Sequence, residues 1–139
     1  MNSNIKDVYG LTPSQEGIYA QYFQSTDTKK YQLQSLCRIS KEIDLNILRK
    51  SVELLSIRHQ VLKTAFTVLK SSGAIKQVIL ENRKPEFNVQ LQVEPFYQNV
   101  LDKIVQEDMN KPLDLQKDSL FKVTIVDFTD NRFMLIHTH

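Results

Sequence analysis

Tryptophan is missing from this 139-residue chain, cysteine occurs once, and there are only three glycines and four prolines. A single cysteine cannot close an internal disulfide, so packing and hydrogen bonds must hold the fold without covalent staples. Cys37 lies in an apolar strand and reads as a small core residue in a reducing compartment, which makes a cytoplasmic location the expectation. Sparse glycine and proline go with a lack of linkers, internal repeats and low-complexity segments. A dominant charge sign is also lacking: 18 Lys and Arg stand against 16 Asp and Glu for a net charge of +2. The charges form no basic block and no arginine and aromatic ladder, so nucleic acid is not an expected partner. No apolar run approaches the roughly 20 residues that span a bilayer. The stretch from Met1 to Asp7 has no apolar signal-peptide region, so neither membrane insertion nor secretion is expected. Glycine-rich phosphate loops and a Gly-x-Ser-x-Gly nucleophile elbow are absent as well.

What is present is a patterned chain whose 41% hydrophobic residues suit one globular unit, residues 1–139, burying roughly two-thirds of its unfolded surface. Thr12 as N-cap, Pro13 at the first helical position and Gln15 at the third form a capping box. It starts a helix that runs to about Phe23, with Ile18, Tyr19, Tyr22 and Phe23 on one face. After a polar loop from Ser25 to Lys30, Tyr31 to Ile39 alternates as a half-buried strand does. Asp44 caps a second helix from Leu45 to about Arg58, whose Leu48, Val52 and Leu55 recur at helical spacing. Lys63 to Leu69 and Ala74 to Leu80 are strand-like runs joined by Lys70-Ser71-Ser72-Gly73, which argues for a hairpin. Phe87 to Val93 reads as another strand. A third helix spans about Phe96 to Asn110 between Pro95 and Pro112, with Val100, Leu101, Ile104 and Val105 as its apolar face. Leu120 to Phe128 and the final strand form a hairpin through Thr129-Asp130-Asn131. Strands and helices mix without strict alternation, so the expected class is α+β, a mixed β-sheet with helices packed largely on one face.

The last strand is the most unusual feature. Phe133, Met134, Leu135 and Ile136 form a continuous apolar run, the pattern of a central strand covered on both faces, and the chain stops three residues later at His139. The expectation is a polypeptide cut short within its fold. It would expose apolar surface or an unpaired edge through which it can self-associate.

Few side chains carry chemistry. His139, at a strand end, can act as or orient a general base because imidazole titrates near neutral pH; its plain alternative is a histidine capping a sheet edge. His137 and His139 share a strand face, but two ligands do not make a metal site, and His59 is the only other histidine. Arg58, at the end of the second helix, can pair with a carboxylate in a fork or simply complement the helix dipole. Tyr19 and Tyr22 can line a substrate channel, or, with Phe23, pack the core.

Four stretches resemble the N-terminal half of a condensation domain of a nonribosomal peptide synthetase. Leu11 to Tyr19 is similar to the first motif of that family, with Gly17 and Tyr19 where Arg and Trp are common. Arg58-His59-Gln60-Val61-Leu62-Lys63-Thr64-Ala65-Phe66 resembles Arg-His-x-x-Leu-Arg-Thr-x-Phe and departs from it only at Lys63. Asn110 to Leu115 and Leu120 to Val123 resemble the approach to the active-site strand, and His139 aligns with the first histidine of His-His-x-x-x-Asp-Gly. The resemblance implies one lobe of a chloramphenicol acetyltransferase-like fold, truncated at the start of that motif, whose missing C-terminal lobe closes a tunnel. It further implies amide formation between donor acyl and acceptor aminoacyl thioesters on phosphopantetheine arms of donor and acceptor carrier domains, with no cofactor bound directly. His139 would support the proton-handling second histidine, and Arg58 would pair with the motif aspartate. The isolated chain is expected to be inactive. Epimerisation and cyclisation relatives share the pattern. The reading from another class is a non-catalytic α+β module that binds a carrier protein or another protein partner.

Overall fold

The computed structural model describes residues 5–25 and 31–139, so most of the loop expected between Ser25 and Lys30 and the first four residues lie outside it. The elements in chain order are β1 (Ile5–Tyr9), α1 (Pro13–Gln24), β2 (Gln34–Ile39), α2 (Leu45–Arg58), a 3-10 turn (Gln60–Lys63), β3 (Thr64–Val68), β4 (Ile75–Leu80), β5 (Glu86–Leu91), α3 (Gln98–Met109), β6 (Lys122–Phe128) and β7 (Arg132–Thr138). Local signals explain their ends. The Gln15 N–H donates to Thr12 Oγ1 at 3.3 Å while the Thr12 N–H donates to Gln15 Oε1 at 2.9 Å, which completes the capping box. The Asp44 carboxylate accepts from the Asn46 and Ile47 amides and so caps α2. Gly73 turns the β3–β4 connection with φ 67°, and Asn131 turns the β6–β7 hairpin with φ 64°. Both are residue types that enter the left-handed region at low cost.

Two sheets form where one was expected. β1, β4 and β3 make a three-stranded antiparallel sheet, with β1 unanticipated because its Ile5-Lys6-Asp7-Val8-Tyr9 has no sustained alternation. The second sheet has the order β2-β7-β6-β5, in which β5 and β6 run parallel and the other pairs antiparallel. A parallel pair cannot close through a tight turn, and α3 is the crossover that joins β5 to β6.

The class is the expected α+β, but the helices do not share a face of the four-stranded sheet. Val123, Ile125 and Phe133 pack with Val52, Leu45 and Leu48 of α2. Val126, Phe128 and Ile136 pack with Leu101 and Ile104 of α3 on the opposite side. The apolar residues of β6 and β7 point both ways, so each face needs its own cover, and a single helical layer would leave one face wet.

The last strand is not an open edge. β7 pairs with β2 from Gln34↔Thr138 to Ile39↔Phe133 and with β6 from Lys122↔Thr138 to Phe128↔Arg132. Self-association through its backbone therefore has no free hydrogen-bonding groups to use. The edge belongs to β2, and this also corrects the reading of Cys37. Its thiol is exposed, because alternation in an edge strand marks two faces but does not guarantee that either is covered. No helix among the described residues is long and apolar enough to cross a membrane.

Candidate functional site

His139 is held by its backbone. Its N–H donates to Leu33 C=O at 3.0 Å and its C=O accepts from the Leu33 N–H at 2.7 Å, which extends the β2–β7 ladder to the end of the chain. Its ring stacks on His137 with centroids 4.7 Å apart and planes 18° apart, and His137 rests on Phe121 at 4.6 Å. The Nε2 atom of His137 is buried without a hydrogen-bond partner. Burial, followed by the neighbouring His139, holds the His137 imidazole below its ordinary value, because a proton there would be poorly solvated and repelled.

Beside this pair lies a cavity of about 170 Å³, lined by His139, Thr138, Lys122, Glu86, Gln32 and parts of the 111–120 segment. Under it runs a polar network that nothing in the sequence motifs announced. Asp108, at the end of α3, meets Lys122 Nζ at 2.5 Å, and its other oxygen accepts from Thr138 Oγ1 at 2.7 Å and Gln34 Nε2 at 2.8 Å. Four elements thus converge on one buried carboxylate. Burial alone would push Asp108 up, but the hydrogen bonds from Lys122, Thr138 and Gln34 and the Lys122 charge together leave it below the ordinary carboxylate value. A signal was available: Asp108 falls on the face of Leu101 and Ile104, and a carboxylate on an apolar stripe needs a partner.

A second cavity, of about 550 Å³, opens between α1 and residues 112–118, lined by Tyr22, Phe23, Pro112, Leu113, Leu115 and Asp118 among others. The Tyr22 hydroxyl donates to Leu113 C=O. Tyr19 is buried behind this wall, its ring 4.6 Å from Phe23 and 6.1 Å from Phe66. Its hydroxyl is enclosed without a well-formed hydrogen bond, although Gln116 is beside it, and burial pushes the phenol up. Of the two tyrosines, Tyr22 lines this cavity and Tyr19 does not. Arg58 ends α2 exposed, its guanidinium making no hydrogen bond or ion pair among the described residues, and it lines neither cavity. The structure therefore brings His139 to a cleft but does not bring Arg58 to it. No three His, Cys, Asp or Glu side chains gather as metal ligands among the described residues.

The family model described as Condensation domain matches residues 5–139. The chain belongs to that family. It is similar to one of the plipastatin synthase proteins of Bacillus subtilis, with 27% identity over 99% of this chain and 6% of that protein. It is also similar to tyrocidine synthase 3 of Brevibacillus parabrevis, with 29% identity over 96% of this chain and 2% of that protein. The chain thus spans a small fraction of the relatives it matches. Among solved structures, the condensation domain of the monacolin K polyketide synthase MokA superposes with a TM-score of 0.84 at 12% identity, covering 98% of this chain and 30% of that one. The epimerization domain from the third module of tyrocidine synthetase B gives 0.77 at 18% identity, covering 100% and 32%. At those identities the likeness is one of fold, and the fold is the expected chloramphenicol acetyltransferase-like α+β arrangement.

Proposed function

We propose that the chain is the N-terminal lobe of a condensation domain that joins carrier-bound substrates in nonribosomal peptide synthesis. The amine of an acceptor aminoacyl thioester attacks a donor acyl thioester. The new C–N bond forms, the C–S bond breaks, the donor thiol departs and the amine loses a proton. Thioesters are already activated, so positioning two phosphopantetheine arms supplies much of the rate, and the partners are the donor and acceptor carrier domains and a second lobe. In this reading His139 supports the proton-handling histidine of the His-His-x-x-x-Asp-Gly motif, Arg58 pairs with the aspartate of that motif, and Tyr22 lines the approach with Tyr19 packed behind it. The location is the cytoplasm.

One observation carries the proposal: within a chain matched by the family model from residue 5 to 139, a histidine is pinned by two main-chain hydrogen bonds at the end of a doubly covered central strand, beside a cavity. The test is amide formation by the complete natural polypeptide with loaded carrier domains, read by mass spectrometry. Wild type should form amide and His139→Ala should form less. Arg58→Ala should lose activity while its folding stability stays within about 0.5 kcal/mol, as for an exposed side chain. Residues 1–139 alone should form none. Absence of amide from the complete polypeptide would overturn the proposal. An epimerised aminoacyl thioester in its place would assign the chemistry of the epimerization neighbour.

A further inference from the structure

We infer that Arg83 is a positioning residue: its guanidinium clamps the segment 113–118 that separates the His139 cavity from the Tyr22 cavity. Arg83 lies between β4 and β5. Its Nη1 donates to Thr64 C=O at 2.8 Å and Asp118 C=O at 2.7 Å, and its Nη2 donates to Gln116 C=O at 3.0 Å and Lys117 C=O at 3.0 Å. One rigid fork thus ties the start of β3 to three successive carbonyls of the segment. Lysine has its donors on a single atom and cannot span that set.

The segment has few other moorings. The Phe66 N–H donates to Leu115 C=O at 3.0 Å, and Tyr22 reaches Leu113. Within the segment, the Asp114 N–H donates to Asp118 Oδ2 at 2.7 Å and the Gln116 N–H to Asp114 Oδ1 at 2.8 Å, so it is a preformed turn that must still be docked. Leu113 and Asp118 line both cavities, so where this turn docks sets the width of each. His139 is anchored separately, through Leu33.

The consequence for substrate rests on the condensation reading above. If the docked wall is populated for a fraction f of the time, the apparent KM rises by 1/f, while kcat from the docked form is unchanged. Arg83→Ala and Arg83→Lys are therefore compared with wild type in the complete natural polypeptide. One readout is hydrogen exchange at the Phe66 amide, with the β6 and β7 amides as internal control. The other is KM and kcat for loaded carrier domains. Arg83→Ala should leave the wall undocked most of the time, so that Phe66 exchange approaches the unprotected rate and KM rises by 1/f, on the order of tenfold at a docked fraction of about 0.1, with kcat and β6–β7 exchange unchanged and Arg83→Lys in between. Unchanged Phe66 exchange in Arg83→Ala overturns the clamp. Near-unprotected Phe66 exchange with unchanged KM overturns the positioning role, as does faster exchange throughout β6 and β7 in both variants. Should wild type form no amide, the condensation reading fails on its own, and Phe66 exchange still decides whether Arg83 clamps the wall.

Discussion

In the four-stranded sheet, Ile125, Val126, Phe128 and Ile136 are wholly enclosed between α2 and α3. In the three-stranded sheet, Ile5, Val8 and Tyr9 of β1 are about half exposed. That sheet is joined to its surroundings by directional polar contacts: Gln15 to Gln77, the Phe66 amide to Leu115, and Arg83 from Thr64 C=O to the carbonyls of residues 116–118. Apolar burial scales with area and is indifferent to angle, whereas a hydrogen bond defines a position and leaves a desolvated group behind when one partner is lost. The first region therefore supplies most of the stability. The second holds, through the Phe66 amide and Arg83, the 113–118 segment that both cavities share.

The contrast extends to two phenylalanines. Phe128→Ala empties a sealed site and should cost about 3–5 kcal/mol, whereas Phe23, on α1 beside the second cavity, is 59% exposed and Phe23→Ala should cost less than about 1 kcal/mol. Equal losses in urea unfolding would mean that the sealed sheet and the cavity wall do not differ in packing. Next in size is Asp108→Ala, which strands Lys122 inside the four-stranded sheet and should cost about 3 kcal/mol. Replacing Asp108 by Leu and Lys122 by Met together should come out close to wild type, and a double variant as unstable as the single would show that the network does more than neutralise a charge.

Acid should act on the same region in two stages. His137 is held below its ordinary value of about 6.5, so as pH falls past that point the unfolded chain takes the proton first and stability declines. Asp108 is held below its ordinary value of about 3.9, so its contribution is complete above that and is lost as pH drops through the folded-state value. Urea midpoints measured from pH 7 downward should show both stages. His137→Phe should remove the first and Asp108→Asn the second; a flat profile between pH 7 and 5 would dispose of the His137 stage. A small effect, of the order of that for Phe23→Ala, is expected on α1: Tyr22→Phe deletes one hydrogen bond to Leu113 and should cost about 1 kcal/mol, with loosening confined to residues near the Tyr22 cavity.

Much of this molecule is legible in short stretches of sequence. The Thr12 box and the Asp44 cap start helices where the structure has them, Pro112 follows the end of α3, and Asn131 turns the final hairpin. The alternation of Tyr31 to Ile39 located a strand but misplaced Cys37, since period two separates faces without saying what covers them. β1 was missed because five residues with Lys6 and Asp7 among them do not rise above the background of loops. At the site, His139 and Tyr22 each line a cavity, Tyr19 is buried against Phe23 and Phe66, and Arg58 lines neither cavity.

The sequence by itself determined the three helices, the strands other than β1 and the doubly apolar character of β7, because capping, helical periodicity and strand alternation act between residues a few positions apart. Only the tertiary structure decided that α2 and α3 take opposite faces, that β2 closes the free side of β7, that Asp108 meets Gln34 and Thr138, and that Arg83 finds the carbonyls of residues 116–118. The Asp108 contacts alone join positions 30 and 74 residues apart, and which distant polar groups meet follows from which surfaces are buried together, a global choice that no local pattern encodes.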